Sequence, residues 1–141
     1  MSLAPGTYPG KPTQPRDRVG FATSSIRSSI VLITVNGEVD AANALELGKY
    51  AEARLDTVSR LIVDVRGLTF FGTQGFSILH RINVMCSRHA VNWVLLPGGE
   101  VDRVLHICDP DGGLPVAHTL ESAITAVVRP PRSHLRLVSN R

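Results

Sequence analysis

The chain has 141 residues, 43% of them hydrophobic, and a formal net charge of +3. A chain of this size forms one domain and buries roughly two-thirds of the surface its unfolded form exposes. No stretch approaches the ~18 continuous apolar residues of a membrane span, and the start is not a charged segment followed by an apolar one. Two cysteines, Cys86 and Cys108, are too few for a secreted disulfide framework. Together these features predict a cytoplasmic protein without membrane insertion, its thiols reduced.

The basic excess sits at the ends. Lys11, Arg16, Arg18 and Arg27 against Asp17 give +3 for residues 1 to 28, and Arg129, Arg132, Arg136 and Arg141 give +4 for residues 129 to 141. The segment between is therefore at −4, which argues against a broad phosphate-binding face and predicts no direct nucleic-acid partner.

In chain order, residues 1 to 28 hold Pro5, Pro9, Pro12 and Pro15 without a sustained apolar period. They read as a flexible arm whose end, Gly20 to Ser25, is able to add an edge strand. The β-branched run Ser29 to Val35 reads as a strand that ends at Gly37. Next comes a helix with Asp40 as N-cap and Ala41, Ala44, Leu45, Gly48, Ala51 and Leu55 on its inward stripe. Leu61 to Val65 is a second buried strand. A turn through Gly72, Thr73, Gln74 and Gly75 then opens a helix whose inward face is Gly75, Phe76, Leu79, Ile82, Asn83 and Cys86. Residues 91 to 97 make a third strand, and Gly99 to Cys108 a short helix with Val101, Val104, Leu105 and Cys108 on one face. Residues 109 to 113, DPDGG, are a turn, and Leu114 to Ala117 a short strand. Thr119 caps a last helix with Leu120, Ala123, Ile124 and Val127 inward; Pro130 and Pro131 stop it ahead of a basic tail. The alternation predicts a single α/β domain over residues 29 to 128, with a mostly parallel central sheet, packed helices and flexible tails.

The usual constellations of catalysis are missing from the sequence. There is no phosphate-cradling G-x-x-x-x-G-K-[ST] and no G-x-G-x-x-G after a strand. Pro97 to Glu100, PGGE, fits a strand-to-helix turn better than an anion cradle. Cys86 and His89 lack the second pair of ligands that zinc needs, and DPDGG lacks the later oxygens of a calcium loop. His80, His89, His106, His118 and His134 show no H-E-x-x-H spacing, and Ser77 is not in a G-x-S-x-G elbow. No enzyme, cofactor or metal is predicted.

Two motifs do carry a message. GEVDAANA, from Gly37, and LIVDVRGLTFFGTQGFSIL, from Leu61, resemble the STAS domain family of anti-sigma factor antagonists and sulfate-transporter cytoplasmic domains, over roughly Ser29 to Val128. Gly37, Glu38 and Asp40 match the family's GELD turn, and Asp64, Gly67, Leu68, Phe70, Gly75 and Phe76 match its DLSGVxFIDSSGL. That resemblance implies a partner-binding module and places the family's phospho-acceptor serine at Thr73. Where the family has Asp before the acceptor and Ser after it, this chain has Gly72 and Gln74. Thr73 is thus read either as a phospho-acceptor or as the helix N-cap.

The resemblance implies an anti-sigma factor antagonist that binds a serine-kinase-type anti-sigma factor and releases a sigma factor. Its partner-binding residues would be Asp40, Gly72, Thr73, Gln74 and Phe76 on one exposed rim, and the protein a monomer or weak homodimer. Two alternatives stand beside it. One is a STAS scaffold or transporter-associated subunit; the other is a small nucleotide-binding protein or enzyme using the Pro97 to Glu100 turn.

Overall fold

A computed structural model describes residues 18–129; the remainder of the Pro-rich arm and of the basic tail, with His134, lies outside them. Four strands form one sheet in the order β1 (Val19–Ile26), β2 (Ile30–Val39), β3 (Arg60–Phe71) and β4 (Asn92–Leu96). β2, β3 and β4 run parallel, while β1 is antiparallel to β2. Between them lie α1 (Ala44–Glu52), a 3-10 turn at Leu55–Thr57, α2 (Thr73–Arg88) and α3 (Gly98–Cys108), with α4 (Leu120–Val128) after β4 and α3. This is the predicted mostly parallel α/β domain.

β2 and β3 form because their runs of Ile, Val and Leu suit a sheet covered on both faces. Ile33, Val35, Leu61, Val63, Val65 and Leu95 face α1, α2 and α3 in the main core, whereas Ile30, Ile62, Val94 and Leu96 face Ala123 and Val127 of α4. The predicted inward face of α3 holds, with Val101, Val104 and Leu105 buried and Cys108 half-buried. Thr119 caps α4, its hydroxyl oxygen accepting the Ser122 N–H. Cys86 and Cys108 are free thiols, and burial pushes the Cys86 thiol up to about 12, so it stays protonated and unreactive at neutral pH.

The edge strand expected from Gly20 to Ser25 is present as β1, which a tight turn at Arg27 and Ser28 folds back along Ile30 to Gly37 of β2. Other expectations are corrected. The strand read over Leu114 to Ala117 is only a single bridge from Val116 to Leu95, since the turn before it delivers too few residues alongside β4. α1 begins at Ala44 rather than next to Asp40, and it buries Ala44, Leu47, Gly48 and Ala51 while Leu45 stands 57% exposed. α2 buries Ile78 and Met85 as well as the expected Gly75, Leu79, Ile82 and Cys86; Asn83 sits at the boundary, its side-chain oxygen accepting the Trp93 indole N–H at 2.8 Å.

Asp64 is one of two buried polar residues among those described. Burial alone would push its carboxyl up, but hydrogen bonds from the Arg66 side chain and backbone N–H, at 2.9 to 3.0 Å, with the guanidinium charge, outweigh it and hold the group below the usual carboxylate range. A depressed pKa in the folded state contributes stability above the unfolded value, lost as pH falls through the folded one. Asp64→Asn should therefore lower unfolding free energy by about 1–3 kcal/mol at neutral pH. In urea melts at pH 7 and pH 3, the gap between the two proteins should narrow at the lower pH; a constant gap would mean that the charge contributes nothing.

Candidate functional site

Parallel strands β2 and β3 finish together, with Val39 beside Phe71, and the Gly72 N–H donates to the Val39 carbonyl at 2.9 Å. From that shared end β2 leaves into the turn at Asp40 and β3 leaves into α2. Ligands of open α/β sheets gather at such carboxyl ends. The two departures are close, since a Cβ placed on Gly72 would lie 3.8 Å from the Asp40 Cα.

Asp40 is fully engaged. One carboxylate oxygen accepts the Ala42 N–H at 2.9 Å and the other the Arg18 guanidinium at 2.7 Å. Asn43, 1% exposed, accepts the Asp40 N–H through its side-chain oxygen and donates its amide to the Glu38 carbonyl, both at 2.9 Å. These bonds make residues 41 to 43 a turn and postpone the helix, so Asp40 is not the N-cap the sequence suggested; that place belongs to Asn43.

Thr73 is not a cap either. Gly72, with extended backbone at φ −88° and ψ 172°, holds the N-cap position, and Thr73 is the first helical residue. The Thr73 side chain is exposed, and among the described residues its hydroxyl makes no hydrogen bond. The Gly75 N–H is taken by the Gly72 carbonyl at 2.9 Å, which leaves the amides of Thr73 and Gln74 at the positive end of the helix. No acidic residue occupies the first turn.

Of the five residues read as a docking rim, Thr73 and Gln74 are exposed and Asp40, Gly72 and Phe76 half-buried, Phe76 partly packed against the main core. Sequence reasoning missed Arg18 and did not assign the motif residues Glu38 and Phe70 to the rim. Arg18 bridges Asp40 and Glu38, and Phe70, 46% exposed, passes 3.5 Å from a Cβ placed on Gly72. Arg18 had a signal: it directly precedes the run Val19 to Ile26, whose antiparallel pairing brings the start of β1 to the end of β2.

The other candidates are structural. Gly98 has φ +71°, and a Cβ there would stand 2.7 Å from the Arg66 Cα, so PGGE is the junction from β4 into the start of α3, where glycine lets the helix pass close to β3. The Asp109 carboxylate accepts the Gly113 and Leu114 N–H groups, which makes DPDGG a turn. Among the described residues no group of three or more His, Cys, Asp or Glu could hold a metal ion, and no helix is long and apolar enough to cross a membrane.

The STAS domain family model matches residues 22–123. The chain belongs to the STAS domain family. The anti-sigma-F factor antagonist RsfA of Mycobacterium tuberculosis is 33% identical over 124 residues, covering 85% of this chain and 97% of that protein. An anti-sigma factor antagonist from Mycobacterium paratuberculosis superposes with a TM-score of 0.70 at 23% identity, covering 81% of this chain and 97% of that one. SpoIIAA, an anti-sigma factor antagonist in its unphosphorylated form, superposes at 0.60 and 19% identity over 74% and 93% of the two chains. These STAS relatives are named as antagonists of other proteins, not as enzymes.

Proposed function

We propose that this STAS protein is an anti-sigma factor antagonist. It docks a serine-kinase-type anti-sigma factor in the cytoplasm through Asp40, Gly72, Thr73, Gln74 and Phe76, and so frees a sigma factor. Phosphorylation of Thr73 ends the docking. The observation that supports this reading is the exposed Thr73 hydroxyl at the head of α2, without a hydrogen bond among the described residues, near a rigidly held Asp40. A single copy carries the whole rim, so a monomer suffices.

The chemistry follows from the position. The kinase supplies ATP; Thr73 Oγ1 bonds to the γ-phosphorus, the bond to the ADP oxygen breaks, and the hydroxyl proton passes to the kinase. The product carries about −1.5 to −2 charges at a helix N-terminus, where the dipole tolerates them, so the fold persists. A docking partner must then desolvate that charge, and the complex weakens. Gly72, with no side chain, leaves the hydroxyl open to the kinase.

A titration with the purified anti-sigma factor tests the rim. Gln74→Trp places bulk on an exposed position and should shift stability by no more than about 0.5 kcal/mol. It should weaken binding at least about tenfold, since an obstruction at the contact centre separates the surfaces. Equal affinity for wild type and Gln74→Trp would remove the rim from the interface.

A further inference from the structure

β1 is antiparallel to β2, so its first residues lie at the sheet end where β2 and β3 finish. Arg18 is fixed there by its own backbone. Gly37, which faces Val19, has φ +103°, and a Cβ on it would come within 2.1 Å of the Arg18 carbonyl oxygen. From that seat the guanidinium reaches Glu38 at 3.5 Å and Asp40 at 2.7 Å, with the Arg18 side chain 32% exposed. The contact to Glu38 is long and its carboxylate half-exposed, so that contact holds Arg18 weakly.

Thr73 lies one residue beyond Gly72, whose backbone approaches Asp40. Two strand spacings, about 10 Å, separate the β1 and β3 positions at this end, and Asp40 lies between them. Among the described residues, the ion-paired side chains at this end are Arg18, just before β1, and Glu38 and Asp40 at the end of β2, and the first turn of α2 contributes no acid. Arg18 is thus a cation placed to answer a new negative charge on Thr73.

We propose that Arg18 is the counter-cation of a phosphate on Thr73, its guanidinium exchanging carboxylate contacts for phosphate oxygens when the modification arrives. This rests on the reading of Thr73 as the acceptor and names the residue that receives the added charge. A phosphate offers up to two charges and three oxygens, any two of which a planar guanidinium can grip, against one charge from either carboxylate. The exchange also strips Asp40 of its neutralising partner. The phosphorylated rim then differs at two points, Thr73 and Asp40, and a partner fitted to the Arg18–Asp40 pair loses both.

The test needs no kinase. Phosphothreonine is installed at position 73 of the full chain during synthesis, and its phosphate is titrated by phosphorus NMR in wild type, Arg18→Gln, Arg18→Lys and Asp40→Asn. The second phosphate pKa, ordinarily near 6, should be lower in wild type than in Arg18→Gln by about half a unit to one unit, a three- to tenfold change in proton affinity. Arg18→Lys should recover part of the shift, and about 1 M salt should shrink it. Asp40→Asn, which frees Arg18 from a competitor, should lower the value further; this variant keeps β1 tethered even if Arg18→Gln loosens it. The same titration in wild type and Arg18→Gln, or a rise in Asp40→Asn, would overturn the proposal and leave the helix amides as the sole phosphate contact. Failure of the docking reading would appear separately, as absent affinity of the unmodified chain for the anti-sigma factor.

Discussion

Thr73→Asp should weaken binding to the anti-sigma factor by about 10- to 100-fold, some 1.4–2.8 kcal/mol, while the melting temperature stays within a few degrees of wild type. The two readouts separate because Thr73 is exposed, makes no hydrogen bond among the described residues, and heads a helix whose first turn is free of acids. A carboxylate there interacts favourably with the helix dipole, worth about 0.3–1 kcal/mol, which offsets its repulsion by nearby Asp40. At the interface the same charge must be stripped of water as the partner docks. Thr73→Ala is the control. The hydroxyl caps nothing, since Gly72 holds that position, so its removal should cost well under 1 kcal/mol and leave affinity near wild type. Titration calorimetry and a thermal melt on each variant read both quantities. Equal affinity for wild type and Thr73→Asp would make position 73 a bystander.

The distinction between a cap and an open first-turn hydroxyl illustrates where sequence reasoning stops. Thr followed by a helical pattern predicts a cap, and at Thr119 that reading holds because the residue before α4 is extended and its oxygen meets the Ser122 N–H. At Thr73 the extended residue is Gly72, one place earlier, so the same residue type lies inside the helix. At Asp40 the competitors are Arg18 and Asn43, two groups whose approach depends on tertiary packing. The parallel strands and α3 were legible because burial on both faces leaves continuous apolar runs, and burial on one face leaves a clean 3.6-residue stripe. β1 was faint because Val19 is the one residue of its eight that is buried, and Gly, Ser and Thr fill much of the rest. On α1, Leu45 and Leu47 are equally apolar; which one turns inward depends on where the helix starts after the Asp40 turn. The candidate rim was visible through motif residues alone, and Arg18, outside any motif, required the pairing of β1 with β2.

Gly75→Val should lower unfolding free energy by about 3 kcal/mol, at the upper end of what overpacking costs. Gly75 is buried in the first turn of α2, and a Cβ there would fall 2.3 Å from Phe71 Cε1 and 2.4 Å from Cζ, well inside contact distance. Phe71 is 2% exposed and packed into the main core, so moving its ring disturbs its neighbours there. Either the ring is displaced or α2 lifts from the end of β3, and the second outcome carries Thr73 and Gln74 with it. Binding should therefore fall together with stability, unlike Thr73→Asp, which separates them. The cause is isolated by pairing substitutions. Gly75→Ala gains up to about 1 kcal/mol of helix propensity yet still meets the ring, whereas with Phe71→Leu in place the added methyl finds room where the ring stood. The double variant should then be more stable than the sum of the two single changes predicts, by about 1 kcal/mol or more, as contacting sites require. Simple additivity in urea melts would mean that Gly75 and Phe71 do not touch in solution and that the head of α2 is positioned by something else.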